Sequence, residues 1–399
     1  MSLRSPGRAV FLVLLGATAL GAAGNSAIFA LLPELQDRYG FSDAGLGVIT
    51  AAGFGMSFLV QLLVAPLADR GHPRLVLIIG AVASVAGNIV CATSSGLWTI
   101  SAARALIGAA SGCFAPTARA LAASISTEGR AERLGRMASI ETAGFVVGPV
   151  IGGALVGPFG VRWPFVVFCA LGIANIVLVS SIQLPELQRR TDSGRISIGL
   201  IRERPVLYAV VTTTAYSLPI GMYDALWARY LTDRGASSLL VGVSLACYAV
   251  PFTVLAGFGG RLTDRYGAGR VAVISTLMVA PFTVAYSLFT NPWIPIAIGI
   301  GEAVVSAVAL PATQTVTANA APPGRAAGTQ GLAGATSVAT MAVVALVSSA
   351  LYGAYGPRTT FISVAITGAT IALIARALRP AGFAGAPVPA PPVVVESHR

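Results

Sequence analysis

The chain has 399 residues, of which 55% are hydrophobic and only 10% charged, and its mean hydropathy is +0.79. Soluble domains carry about 25% charged residues, so a water-soluble globular fold is excluded. The net charge is +11, but the 26 basic residues, all arginine, are scattered along the chain, which argues against nucleic acid as a partner.

Apolar runs of about 20 residues, enough to cross a bilayer as helices, recur at 9–33, 45–67, 74–93, 97–122, 134–157, 161–183, 205–230, 238–262, 270–289, 293–319, 327–354 and 357–378. Barrel strands would be shorter and alternate in polarity. The predicted class is therefore an all-α membrane protein with twelve transmembrane helices. The first run follows Arg4 and Arg8 as a signal peptide would, but it is read as an uncleaved span because the seventh run needs a counterpart. It carries Asn25 at its middle and Glu34 at its outer rim. Behind the second run comes Ala65-Pro66-Leu67-Ala68-Asp69-Arg70-Gly71-His72-Pro73-Arg74.

The fourth run holds Arg104 in otherwise apolar surroundings, four residues before Gly108. An arginine at mid-membrane costs about 2.5–3.5 kcal/mol, so Arg104 is expected to face the protein interior and meet a carboxylate, carbonyl groups or a ligand. The competing reading has it snorkel to the outer interface. The fifth run contains Glu141 and a glycine string, Gly135, Gly144, Gly148-Pro149 and Gly152-Gly153. Gly144, Gly148 and Gly152 recur every four residues, so one helix face lets a neighbouring backbone approach closely. The polar stretch 184–204 then reads as a linker at the membrane surface. The seventh run carries Asp224 near its outer end, where a solvated or interfacial role is expected. The eighth ends in Gly260-Arg261-Leu262-Thr263-Asp264-Arg265-Tyr266-Gly267-Ala268-Gly269-Arg270, and the tenth holds Glu302 near mid-membrane. Residues 380–399, rich in proline, alanine and valine, read as a disordered tail.

Asp69-Arg70 and Asp264-Arg265 lie 195 residues apart, and an offset of 195 or 196 also superimposes Gly40, Ser42 and Gly47 on Gly235, Ser237 and Gly242, and Pro116 on Pro311. The predicted organisation is two six-helix bundles, 1–183 and 205–379, related by a pseudo-two-fold axis and joined by 184–204. Doubled halves are a mark of secondary transporters. Of the arginines other than Arg104, twenty fall on the side of both termini and five (Arg38, Arg162, Arg229, Arg234, Arg358) on the other. Both termini are therefore expected in the cytoplasm. The four cysteines fall inside spans without a CxxC pair. No His/Cys cluster, GxSxG or phosphate loop occurs, so the chain is not read as an enzyme and no metal or cofactor is expected.

In three motifs the chain resembles the major facilitator superfamily, over roughly residues 9–378. The loop pattern G-x-L-x-D-R-x-G-x-x-R is matched by Gly260, Leu262, Asp264, Arg265, Gly267 and Arg270, and less regularly by Asp69, Arg70 and Arg74. Arg104 with Gly108 is similar to the family's R-x-x-x-G element, and the glycine string to the G-x8-G-x3-G-P-x2-G-G pattern of its drug-exporting antiporters. The resemblance implies gating by the charged loops, alternating access between the bundles and export of small amphipathic compounds or drugs driven by the proton gradient. Glu302 is the first candidate for the proton carrier, then Glu141 and Asp224. Drug exporters of the family often place an acid where this chain has Asn25. A proton-coupled uptake symporter for a sugar or metabolite is the alternative, and a non-transporting membrane sensor a distant one. The expected partners are the lipid bilayer, a small-molecule substrate and protons, with the chain a monomer in the cell membrane.

Overall fold

The structure is a computed structural model that describes residues 6–64, 66–125, 130–182, 198–322, 325–380 and 383. Most of the predicted linker and tail, and the side chain of Asp69, lie outside the described residues. Among the described residues there is no strand. The helices are α1 (Pro6–Tyr39), α2 (Asp43–Leu63), the single turn α3 (Pro66–Asp69), α4 (Pro73–Ala92), α5 (Leu97–Ser124), α6 (Arg130–Phe159), α7 (Trp163–Ser180), α8 (Arg204–Thr232), α9 (Ser238–Tyr266), α10 (Ala268–Tyr286), α11 (Trp293–Asn319) and α12 (Ala326–Leu378).

Gly356 (φ 77°, ψ 178°) divides α12 into two arms, so the eleven long helices among the described residues supply the twelve predicted spans. Nine helices among the described residues are long and apolar enough to cross a membrane. α8 and α9 are not among these nine, and α8 carries Thr212, Thr213, Ser217, Asp224 and Arg229, which face the protein rather than lipid. One predicted boundary is corrected. The first span was expected to stop at Pro33, but α1 runs on to Tyr39 with Pro33 inside it. Proline is tolerated in a membrane helix where neighbouring elements absorb the freed carbonyl.

The repeat read in the sequence recurs in the packing. In the first half α1 packs on α6, α2 on α5, and α4 on both α5 and α7. In the second, α8 packs on α12, α9 on α11, and α10 on both α11 and α12. Among the described residues six glycines adopt positive φ and pair at 195 or 196 residues: Gly40 with Gly235, Gly71 with Gly267, and Gly160 with Gly356. Each ends a helix with a left-handed residue that only glycine adopts without strain. Gly71 thus does in the irregular first loop what Gly267 does in the second.

The two halves touch at one end, the end carrying Gly40 and Gly235. There α6 meets α9 and α2 meets α12, two contacts that the repeat interchanges. A Cβ on Gly242 would stand 2.5 Å from the Pro149 carbonyl oxygen, and one on Gly47 the same distance from that of Ala345. Trp98, Trp163 and Trp293, at the starts of α5, α7 and α11, are exposed at this same end, as aromatic residues are at a membrane interface. At the other end Arg70, Arg74, Asp264, Arg265 and Arg270 are exposed, and no ion pair joins the halves there among the described residues. The protein is therefore closed at the Gly40 end and open at the Gly71 end.

Candidate functional site

Between the halves lies a cavity with about 1310 Å³ of empty space, part of it continuous with solvent. Its wall in the second half is built by α8, where Tyr216, Ile220, Tyr223 and Trp227 fall on one face at three- and four-residue intervals, with Tyr248 from α9 and Tyr286 from α10 beside them. Tyr286 and Trp227 stand edge to face with ring centroids 5.1 Å apart, and Tyr286 and Tyr223 at 5.8 Å. Behind them Tyr230 and Phe361 continue the stack at 4.8 Å. Polar tips are secured: Trp227 Nε1 donates to Ser244 Oγ (2.9 Å), Tyr248 to Ser306 Oγ (3.0 Å), and Tyr223 shares a hydrogen bond with Thr283 (2.7 Å).

Glu302 on α11 lines this cavity and is only 1% exposed. Tyr286 donates its hydroxyl to the carboxylate, and Tyr223 faces the same group. No arginine pairs with Glu302 among the described residues. Burying an ionised carboxylate without a cation costs several kcal/mol, so the charge on this group is tied to how wet its surroundings are.

Arg104 is buried (3% exposed), which removes the snorkelling reading. Its Nη1 donates to the Asn25 side-chain oxygen (2.8 Å) and backbone oxygen (3.2 Å), and its guanidinium lies 4.7 Å from the centre of the Phe29 ring. The glycine four residues on has a packing role as well. A Cβ on Gly108 would run into the Gly53 carbonyl, and one on Gly53 would stand 2.7 Å from Arg104 Nε. Small residues at both positions let α2 and α5 close around the guanidinium.

Asp224 is a correction. The expected interfacial position is replaced by one on the cavity wall, where its carboxylate interacts electrostatically with Arg104 across the two halves. Only packing of α8 against the first half brings these residues into range. Glu141 also lines the cavity but pairs with Arg119 at 3.8 Å, both side chains partly exposed. Glu302 and Asp224 thus share one wall, with Glu141 across from them, while the charged loops lie away from the cavity.

The glycine string packs on two partners. A Cβ on Gly144 would strike the Ala19 carbonyl and one on Gly148 that of Ala23, both on α1, and Gly152 faces Ala27 of the same helix at 3.2 Å. Gly153 instead faces the Ser238 carbonyl of α9, in the other half, and Gly135 faces nothing within 4 Å. Pro149 contributes the carbonyl against which Gly242 rests.

Two groups escaped the sequence reading. One is the aromatic wall, whose signal was the spacing of Tyr216, Tyr223 and Trp227. The other is a polar latch across the closed end. Arg229 lies 2.6 Å from Asp37 and 3.9 Å from Asp43 in the first half. Its Nε is also 2.8 Å from Asp233, though poorly aligned for a hydrogen bond. Ser238 donates to Glu34 at 2.6 Å. Partly exposed ion pairs contribute about 0.2–1 kcal/mol each. Arg229→Gln is therefore expected to lower the closed-to-open ratio at this end about fivefold, less at high salt. Spin-label distances across the end, measured at two ionic strengths, check it.

A Major Facilitator Superfamily profile matches residues 14–226 and again 209–396. The chain is 26% identical to the multidrug resistance protein MdtG of Proteus mirabilis (strain HI4320), covering 74% of this chain and 77% of that protein. It is also 26% identical to the class C tetracycline resistance protein of Escherichia coli, over 86% and 89% of the two chains. Among solved structures, a mutant form of the nucleoside transporter NupG superimposes with a TM-score of 0.81 at 12% identity, over 93% of this chain and 100% of that one. A bacterial homologue of the human lysosomal transporter Spinster, inward-facing and unoccupied, gives 0.76 at 16% identity, over 97% and 100%. With doubled six-helix halves around a central cavity and a profile match along nearly its whole length, the chain belongs to the Major Facilitator Superfamily and is a multi-pass membrane transporter, not an enzyme.

Proposed function

We propose that this protein exports small amphipathic compounds from the cell in exchange for protons, with Glu302 as the proton carrier. The observation that carries the reading is a buried carboxylate held by tyrosine hydroxyls on the wall of a central cavity, without an arginine to hold its charge. Protonation of such a group follows its solvation, and its solvation changes as the cavity opens to one side or the other. The aromatic lining suits apolar, flat cargo, and the two resistance proteins named above are relatives whose names fit the same role. The proton gradient is the energy source and the working unit is a monomer.

The arginine asymmetry supports an orientation with both termini and the Gly71 end in the cytoplasm, so the closed Gly40 end faces outward and the structure is inward-open. The bundles 1–183 and 205–379 then rock about the cavity, with the loops at Asp69 and Asp264 brought together when the inner end closes. A carboxylate at the end of one helix that meets the N-terminus of another and an arginine stabilises that arrangement alone. Arg104, held by Asn25, stands where the two halves interact through Asp224.

Inverted membrane vesicles test the reading. Respiration acidifies their interior, so an exporter accumulates a fluorescent amphipathic dye inside while protons leave, and adding dye collapses part of the pH gradient. Proton-driven accumulation in right-side-out vesicles instead, or accumulation indifferent to the gradient, would replace export with uptake or with uncoupled transport.

A further inference from the structure

We propose that a polar recess inside the first half is a second subsite of the cargo path, which takes a hydrogen-bond-donating end, a hydroxyl or an ammonium, of a molecule whose aromatic body lies against the tyrosine and tryptophan wall. The inference rests on the export reading of the central cavity and adds to it the chemistry of the cargo's other end.

The recess lies among α1, α4, α5, α6 and α7, with about 580 Å³ of empty space, part of it continuous with solvent. Glu141 and Phe145 line both it and the central cavity, so the two are neighbours across one pair of side chains. Two of its lining groups are buried with an uncommitted oxygen: Asn175 is 4% exposed and Thr18 is 3% exposed. Neither Asn175 Oδ1 nor Thr18 Oγ1 has a hydrogen-bond partner among the described residues. The orientation of the Asn175 amide is set by its own packing, because Nδ2 donates to the Ala17 backbone oxygen at 3.1 Å. That bond leaves the carbonyl oxygen as the free acceptor. A buried acceptor without a donor is unfavourable, and a ligand that supplies the donor removes that cost.

The charges nearby favour the same ligand. Glu141 at the shared wall disfavours an anionic group, even with Arg119 at 3.8 Å. Arg104 is not among the residues that line the recess, and its Nη1 is committed to Asn25. The recess therefore offers Asn175 Oδ1 as an acceptor beside hydroxyls that both donate and accept, and with Glu141 at its wall it takes a hydroxyl or an ammonium rather than an anion. The central cavity offers ring faces and two further carboxylates, so cargo with one aromatic and one donor end satisfies both.

The test uses the purified full-length protein and three fluorescent naphthalene-sulfonamide probes that differ only in the tail: 2-hydroxyethyl, 2-aminoethyl or propyl. Hydroxyl and methyl are nearly isosteric, so the hydroxyethyl–propyl pair isolates one hydrogen bond. The wild type is expected to bind the hydroxyethyl and aminoethyl probes about tenfold more tightly than the propyl probe, a difference of one hydrogen bond. Asn175→Leu and the conservative Thr18→Val should each reduce that preference while the propyl probe binds as before. Where Asn175→Leu folds poorly, Thr18→Val carries the test. A wild type that binds all three probes equally would mean that the recess holds water alone and would overturn the proposal, as would variants that keep the full preference or lose all three probes together. A wild type that binds none of them in the central cavity would remove the cargo reading with it, which separates that failure from failure of the recess alone.

Discussion

Glu302→Gln is expected to abolish pH-driven exchange while the protein still binds cargo and exchanges cargo for cargo. Glutamine keeps a carbonyl oxygen for the Tyr286 hydroxyl and nearly the same volume, so the aromatic wall stays packed. What it loses is the capacity to bind and release a proton. Removing a proton-transferring group typically costs two or more orders of magnitude in rate, so gradient-driven accumulation should fall by roughly 100-fold, to the level of vesicles without the protein. Counterflow, which moves labelled against unlabelled cargo with no gradient, should persist. Asp224→Asn is expected to act differently, because that carboxylate interacts with Arg104 across the halves, so its loss alters cargo exchange as well as coupling. Glu141→Gln should have the smallest effect of the three, since Arg119 already accompanies that group. Normal gradient-driven exchange in Glu302→Gln would dismiss Glu302 as the carrier and leave Asp224 as the next to test.

Gly153→Leu should hold the Gly40 end open. The Cβ that leucine adds would stand 3.0 Å from Leu239 Cα and closer still to the Ser238 carbonyl, both backbone groups of the other half. Overpacking a tight contact costs about 1–3 kcal/mol. In the proposed cycle the two halves separate at this contact, so the molecule is expected to relieve the clash by opening rather than by unfolding. The closed-to-open ratio should drop about 5- to 150-fold, at about 1.4 kcal/mol per factor of ten. Distances between spin labels at Arg38 and Arg358, exposed at this end in opposite halves, should lengthen, and export should slow because the inward-open state is rarely reached. The same glycine string provides two controls. Gly148→Leu strains α6 against α1 within one half, so it should lower thermal stability without lengthening the label distance. Gly135 has open space at its Cβ, and Gly135→Leu should change neither. Equal behaviour of all three variants would reduce the string to generic helix packing.

What the order of residues revealed and what it concealed divide along a physical line. Span count, helical class and doubling are local or periodic properties. They follow from runs of apolar residues and from an offset that recurs at Gly40, Gly47 and Asp69, so they were legible before any contact was known. The pairing of Gly71 with Gly267 survives an irregular loop because a left-handed turn demands glycine wherever the helix stops. The interior position of Arg104 was legible for an energetic reason, as a charge that the membrane will not tolerate unpaired.

Other features depend on which helix faces which, and no single segment carries that information. Asp224 reads as interfacial by its depth along α8, yet it lines the cavity because α8 turns that face toward the first half. Arg229 reads as one of five outward arginines, yet it ties α8 to α1 and α2. The glycine string announced a close helix contact. Only packing decided that Gly144 and Gly148 meet α1 within the half while Gly153 meets α9 of the other half. The sequence by itself therefore determined a doubled twelve-span membrane helix bundle, because hydrophobicity and repetition are written along the chain. The tertiary structure alone decided the tyrosine-held Glu302, the polar contacts of Arg229 and the glycines packed between the halves, because each is a meeting of side chains or backbones from different helices, set by how the helices rotate and pack.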